Sequence, residues 1–159
     1  MKATPRAINS YIFFKLPSCY FTGVRVKTID QTCCVTSVRH RWINQNPFKS
    51  MFWAVQGMAA ELATGALVMA SIAQSDAKIS MLVATNNARF DKKATGRITF
   101  ICEDGQLIKD TIAKAIQTKQ GQSCWTKAIG KNSLGAVVSE FNFLNNFMDM
   151  LGIPIPSAP

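Results

Sequence analysis

Between Met51 and Ala73 the chain runs for 23 residues with a single charge, Glu61. A helix that is apolar on every side is either a membrane span or the enclosed core of a globular domain. In either setting an ionisable group at its middle is costly without a partner or a task, because burial disfavours the charged form. What this chain does therefore turns on Glu61.

The span reading fits poorly. The run contains Gln56, Gly57, Glu61, Thr64, Gly65 and Ser71, and no second stretch of span length follows. A lone carboxylate at a bilayer centre costs about 2.5 kcal/mol or more. Near the N-terminus, Lys2 and Arg6 precede Tyr11-Ile12-Phe13-Phe14, an apolar run too short for a signal core and without a small-residue cleavage site after it. A cytoplasmic protein with no membrane span is expected. A chain of 159 residues, 48% hydrophobic and 17% charged, suits one folded domain with a sizeable core rather than a disordered tail.

The residues that would carry metal or triad chemistry are scarce. Five cysteines, Cys19, Cys33, Cys34, Cys102 and Cys124, show no Cys-x-x-Cys spacing, and adjacent strand residues such as Cys33 and Cys34 face opposite sides. Buried free thiols and no metal site are expected. The only histidine, His40, lies between Arg39 and Arg41 and reads as a surface strand residue. The formal net charge of +9 is dispersed, with no cationic run longer than Lys92-Lys93. A nucleic-acid-binding module shows a basic stripe with interleaved aromatics, so no nucleic-acid partner is expected. A phosphorylated small molecule or an anionic surface fits the charge equally well.

Periodicity supplies the elements. Residues 8–16 read as a short amphipathic helix ended by Pro17, and Gly23 to Asp30 alternates as a half-buried strand. Thr32 to Ile43 reads as its hairpin partner, and Asn44 to Pro47 is turn chemistry. Ser50 is the expected N-cap of the long helix, which ends near Ala73. A hairpin follows, from strands Ile79–Phe90 and Arg97–Glu103 across the turn Asp91–Gly96. Leu107 to Thr118 has the spacing of an amphipathic helix. Two last strands, Ser123–Lys131 and Leu134–Phe147, are joined through Asn132-Ser133. An antiparallel sheet curved round one fully apolar helix is the architecture these elements call for.

That α+β architecture resembles the hot-dog fold of acyl-CoA thioesterases. The segment from Asn46 to Gly65, NPFKSMFWAVQGMAAELATG, is similar to the Asn-x-x-Gly … Ala-Glu-x-Ala-x-Gly signature of a thioesterase-like branch of unknown function. Arg89 to Gly96 (RFDKKATG) is similar to a hairpin of the same group. The resemblance covers residues 20–145 and implies a single hot-dog domain over 1–159: the N-terminal helix at 8–16, the core at 20–147 and a tail at 148–159. In active relatives the helix opens with His-Gly-Gly, a backbone N–H there polarises the thioester carbonyl, and an acidic helix residue activates water or attacks directly. Carried over by position, the donor falls near Trp53 and the acid at Glu61, with Asn46 ahead of the helix. First-turn N–H groups lack intrahelical partners and suit a developing oxyanion. Glu61, in apolar surroundings, would then work as a general base.

This sequence also departs from the active pattern. Phe52-Trp53-Ala54 stands in place of His-Gly-Gly, and Lys49 stands where the signature has glycine. Gln56 and Thr64 are candidates for positioning water or thioester, Phe52 for the tunnel mouth, and Arg89, Lys92 and Lys93 for coenzyme A phosphates. Coenzyme A enters only as part of the substrate, and no separate cofactor is expected. Ala54, Gly57, Glu61 and Gly65 form a stripe at spacings of three and four, which serves equally well for close packing. The resemblance further implies edge-to-edge pairing into a homodimer or a dimer of dimers, with the site at the subunit interface. Two readings follow: an acyl thioesterase, or a hot-dog protein that binds an acyl chain without turnover.

Overall fold

The computed structural model describes residues 3–150. Residues 151–159, most of the expected tail, lie outside the described residues. The chain opens with α1 (Pro5–Lys15), capped by the Thr4 hydroxyl, which accepts from Ala7 N at 3.3 Å. Pro17 does more than end this helix, for it starts a second one, α2 (Pro17–Phe21). Proline is well tolerated at a first helical position, where its missing N–H costs nothing.

Strands β1 (Arg25–Ile29) and β2 (Cys34–Arg39) form the expected hairpin. A 3₁₀ turn (Trp42–Asn44) then leads to the long helix α3 (Trp53–Gln74). After it come β3 (Ile79–Phe90), β4 (Arg97–Cys102), α4 (Gly105–Thr118), β5 (Gln122–Asn132) and β6 (Val137–Asp149). The strands make one antiparallel sheet in the order β1-β2-β4-β5-β6-β3.

That order corrects the expected second hairpin: β3 does not pair with β4. It pairs with β6 along the far edge, from Ile79 opposite Asp149 to Phe90 opposite Ser139. The sheet curls round α3, so the link 91–96 passes over the ends of β5 and β6 instead of folding back on β3. Asp91 N and Lys92 N donate to Val138 O at 2.8 and 3.2 Å, and Ala94 O accepts from Met51 N at 2.8 Å. The last turn also differs, since β6 begins at Val137 and not at Leu134.

The alanine-rich face of α3 explains how closely the sheet approaches. Ala59, Ala60, Ala63 and Ala66 are fully buried, and Thr36 of β2 donates its hydroxyl to Ala59 O at 2.7 Å. Val38, Ile98, Phe100 and Phe147 fill the space around them. Each such side chain removed from water contributes roughly 1.5–3 kcal/mol. α4 covers the other end of α3 and buries Ile108, Ile112 and Ala115. Its first residue, Gly105, sits so tightly that a Cβ there would lie 2.3 Å from Gln31 O.

The four cysteines Cys19, Cys34, Cys102 and Cys124 are buried and free, and Cys33 is half-buried and free. Cys34 lies directly opposite Cys102 across β2 and β4. His40 falls just beyond β2, half-buried, with its backbone N–H donating to Gly96 O at 2.7 Å.

Candidate functional site

The entry to α3 is a braced loop. Asn46 Oδ1 accepts from Phe48 N at 2.9 Å and from Ser50 N at 3.2 Å, and Asn46 Nδ2 donates to Ser50 Oγ at 3.1 Å. Phe52 N donates to Asn44 O at 2.8 Å. Ser50 is therefore not the helix cap: its side chain is held by Asn46, and Phe52 occupies the cap position with no side-chain hydrogen bond. Val55 N and Gln56 N both reach Phe52 O, which leaves Trp53 and Ala54 as the first-turn donors. Lys49, at the signature's glycine position, adopts φ 58°. A left-handed residue is where glycine is favoured, so the fold keeps the turn that the signature glycine would make.

A cavity of about 360 Å³ lies between this loop and the β3–β4 link, lined by Asn46, Trp53, Gln56, Lys92 and Lys93 among others. Five residues singled out from the sequence thus meet in one place. Gln56 is buried, its Oε1 accepting from Ser139 Oγ at 2.9 Å and its Nε2 donating to Met51 O at 3.4 Å. Lys93 Nζ donates to Phe48 O at 3.3 Å. Arg89 lies outside this cavity, paired with Asp91 at 3.1 Å and Glu140 at 3.9 Å. Phe52 stands beside Trp53, ring centroids 6.0 Å apart. Thr64 is buried in the core, and its hydroxyl donates to Glu61 O at 3.0 Å.

Glu61 is where expectation and structure part most. The sheet does not enclose α3 on all sides. One stripe stays open, with Trp53, Glu61, Met69 and Ala73 exposed and Gly57 and Gly65 half-buried between them. Glu61 has no ion pair or side-chain hydrogen bond among the described residues. It lines a groove of about 310 Å³ whose other walls are largely apolar, including Leu16, Cys19, Met58, Met69 and Met81. Burial pushes the Cys19 thiol up to about 11; Arg25 opposes this, and Glu61 adds a smaller rise. Met69 also lines a second apolar hollow of about 190 Å³ between α1 and α3, beside Ile8, Tyr11 and Ala66. No local signal in the sequence marks these walls, because Pro17 reads only as a helix stop and Met81 as one residue of a hairpin.

A further hollow, of about 420 Å³, lies elsewhere, beside Arg6, Asn9, Tyr20 and Arg25. Its polar groups are mostly spent: Asn9 bonds both N and O of Val26, and Arg25 bonds Tyr20 O and Val24 O. Among the described residues no group of three His, Cys, Asp or Glu side chains comes together to hold a metal ion. α3 is long and apolar enough to cross a membrane by length and composition, and 56% of its most apolar stretch is buried inside the fold.

A long helix laid in a curved six-stranded antiparallel sheet is the hot-dog fold. The structure is similar to that of a Pseudomonas aeruginosa protein of unknown function, PA5026, described as a probable thioesterase, with TM-score 0.76, 18% identity, and 92% of this chain and 99% of that chain covered. A Chlorobaculum tepidum protein of unknown function aligns with TM-score 0.78 at 17% identity over 93% and 98% of the two chains. The thioesterase HI1161 of Haemophilus influenzae aligns with TM-score 0.65 at 10% identity over 93% and 92%. Among curated proteins, none matches the sequence. The chain belongs to the family described as Domain of unknown function DUF4442, whose model matches residues 5–143.

Proposed function

We propose that the chain binds an acyl thioester, carried on coenzyme A or on an acyl carrier, and hydrolyses it at a site completed by a second copy. The observation that carries this reading is Glu61: an exposed carboxylate without a partner among the described residues, on the open face of a core helix and beside an apolar groove. A soluble monomer has no reason to leave such a face uncovered.

Geometry supports two copies. Trp53 and Glu61 lie two helical turns apart, roughly 12 Å along the axis at 1.5 Å per residue. One carbonyl carbon cannot meet both. A second α3 running antiparallel brings the Glu61 of one copy towards the first-turn N–H groups of the other. The unpaired edge of β3, exposed on both faces from residue 84 to Phe90, invites strand pairing between copies. Gly65 adds to this, because a Cβ there would meet nothing within 4 Å in the single chain. Its small size serves something outside the chain.

In this reading water between Glu61 and the thioester gives its proton to the carboxylate as its oxygen attacks the carbonyl carbon. The oxyanion is held by the N–H groups of Trp53 and Ala54. Collapse breaks the C–S bond, and the proton on Glu61 passes to the departing sulfur, leaving acid and thiol. Asn46 holds the loop that sets the helix start, and Lys92 and Lys93 face the carrier's phosphates. No further cofactor is needed.

The test is a panel of acyl-CoA substrates with wild type and Glu61→Gln. A loss of roughly 100-fold or more is expected, and equal rates remove Glu61 from the chemistry. A second reading, acyl-chain binding without turnover, is favoured by the Phe52 and Trp53 rings at the helix start. Retained fatty acid in native mass spectrometry, with no hydrolysis of any thioester, selects it.

A further inference from the structure

The cations are scattered in sequence, but the fold gathers many of them. Strand registers set Arg25, Arg39 and Arg97 at one end of the sheet, and Ile29, Cys34 and Cys102 at the other. The first end also receives the loops that carry Arg41, Lys49, Lys92 and Lys93, and Lys131 near the end of β5. The carboxylates go mainly the other way. Asp30, Asp76, Glu103, Asp104 and Asp149 lie at the opposite end, and Asp110 is on α4 beside it. The two carboxylates on the basic side, Asp91 and Glu140, are both engaged by Arg89. Among the described residues, no other cation at this end has an ion-pair partner.

Exposed apolar side chains share that end. Trp42 is 83% exposed, Phe48 75% and Leu134 90%, with Phe21 and Ile43 also more than half exposed. They stand on separate segments: the end of α2, the 3₁₀ turn, the loop before α3 and the β5–β6 turn. Lys93 Nζ donates to the backbone O of Phe48, so a cation is anchored on the loop that carries this exposed ring.

We propose that this end docks on the surface of an anionic lipid bilayer, its lysines and arginines over the headgroup phosphates and Trp42 and Phe48 entering the interfacial layer. Basic side chains near an anionic leaflet gain from its surface potential within a Debye length. Tryptophan favours the headgroup level, and stable attachment takes two signals, here apolar tips and a basic face. The charge sorting supplies orientation, because at the opposite end Lys78, Lys109, Lys114 and Lys119 are offset by the carboxylates around them, and among the described residues no comparable cationic surplus faces outward. Single-stranded nucleic acid is the poorer match: Ile43 and Leu134 offer no stacking face, and the apolar groups sit on separate tips, not in a groove that tracks a strand. Docking needs no turnover, so it stands or falls apart from the thioester reading.

Cosedimentation of the full chain with phosphatidylcholine vesicles, with and without 30% phosphatidylglycerol, tests it. Binding to the anionic vesicles is expected at 50 mM salt, falling by about 10-fold or more at 300 mM. Trp42→Ser is expected to weaken it by about 10-fold and Trp42→Phe far less, with unchanged circular dichroism, since Trp42 packs against little. Lys49→Glu with Arg39→Glu is expected to remove most of the salt-dependent part. The proposal is overturned by equal binding to neutral vesicles, or by no binding at 50 mM salt. Tighter binding of a single-stranded oligonucleotide that is also weakened by Trp42→Ser overturns it in favour of nucleic acid.

Discussion

Ser139 Oγ of β6 donates to Gln56 Oε1 in the first turn of α3 at 2.9 Å, and both side chains are buried. This bond fixes the start of the helix against the sheet, where the Trp53 and Ala54 N–H groups must be held if they are to stabilise an oxyanion. The Gln56 amide also reaches Met51 O, tying the same point to the loop that Asn46 braces.

Removing one side of that pair leaves the other without a partner in a dry place. Gln56→Met keeps the volume but strands the Ser139 hydroxyl, and about 1–3 kcal/mol of stability is expected to go. Adding Ser139→Ala to Gln56→Met removes the stranded group and is expected to recover a good part of the loss. Urea unfolding of the wild type, both single variants and the double variant gives the coupling directly. Additive losses would mean that the bond contributes nothing.

Lys49 gives a prediction of the opposite sign. Its φ of 58° places an L side chain in the left-handed region, at a cost of roughly 1–2 kcal/mol. Glycine relieves that strain while adding unfolded-chain entropy worth about 0.4–1 kcal/mol. Lys49→Gly is therefore expected to stabilise the chain by about 0.5–1 kcal/mol, read as a rise in the urea midpoint at unchanged slope. A lower midpoint would show that the Lys49 side chain makes up for its backbone.

What the sequence could and could not reveal follows from the range of each interaction. α3 and α4 were legible because their signals, an unbroken apolar run and a 3.6-residue period, are local. The β3–β4 hairpin was misread for the same reason. Asp91 to Gly96 has the composition of a tight turn, but β3 is drawn to β6 by a long register that no local pattern displays. The sequence singled out Glu61, yet it was expected to be buried. Composition tells which residues are apolar, not whether this chain or another covers them. Asn46, Trp53, Gln56, Lys92 and Lys93 line one cavity, whereas Thr64 turns into the core and Arg89 into its own ion pairs. The division of charge between the two ends arises only when the strands alternate in direction, so a scan along the chain sees dispersion.

The buried thiols are expected to lower the stability of the fold in alkali. Burial pushes Cys34 and Cys102 up to about 12 and Cys19 to about 11, from an ordinary value of 9.0. For Cys34 and Cys102, which face each other, the proximity of a second thiol adds to that rise on Cys34. Between pH 9 and about pH 11 the unfolded chain gives up these protons while the folded chain keeps them. The unfolded state then binds fewer protons, so stability falls as pH rises, by at most about 1.4 kcal/mol per pH unit for each thiol. Below pH 9 the contribution is whole. Urea midpoints at pH 8, 9, 10 and 10.5 are expected to fall steeply in the wild type and less steeply in Cys34→Ala. Parallel profiles for the two proteins would assign the alkaline loss to lysines or tyrosines and not to the thiol pair.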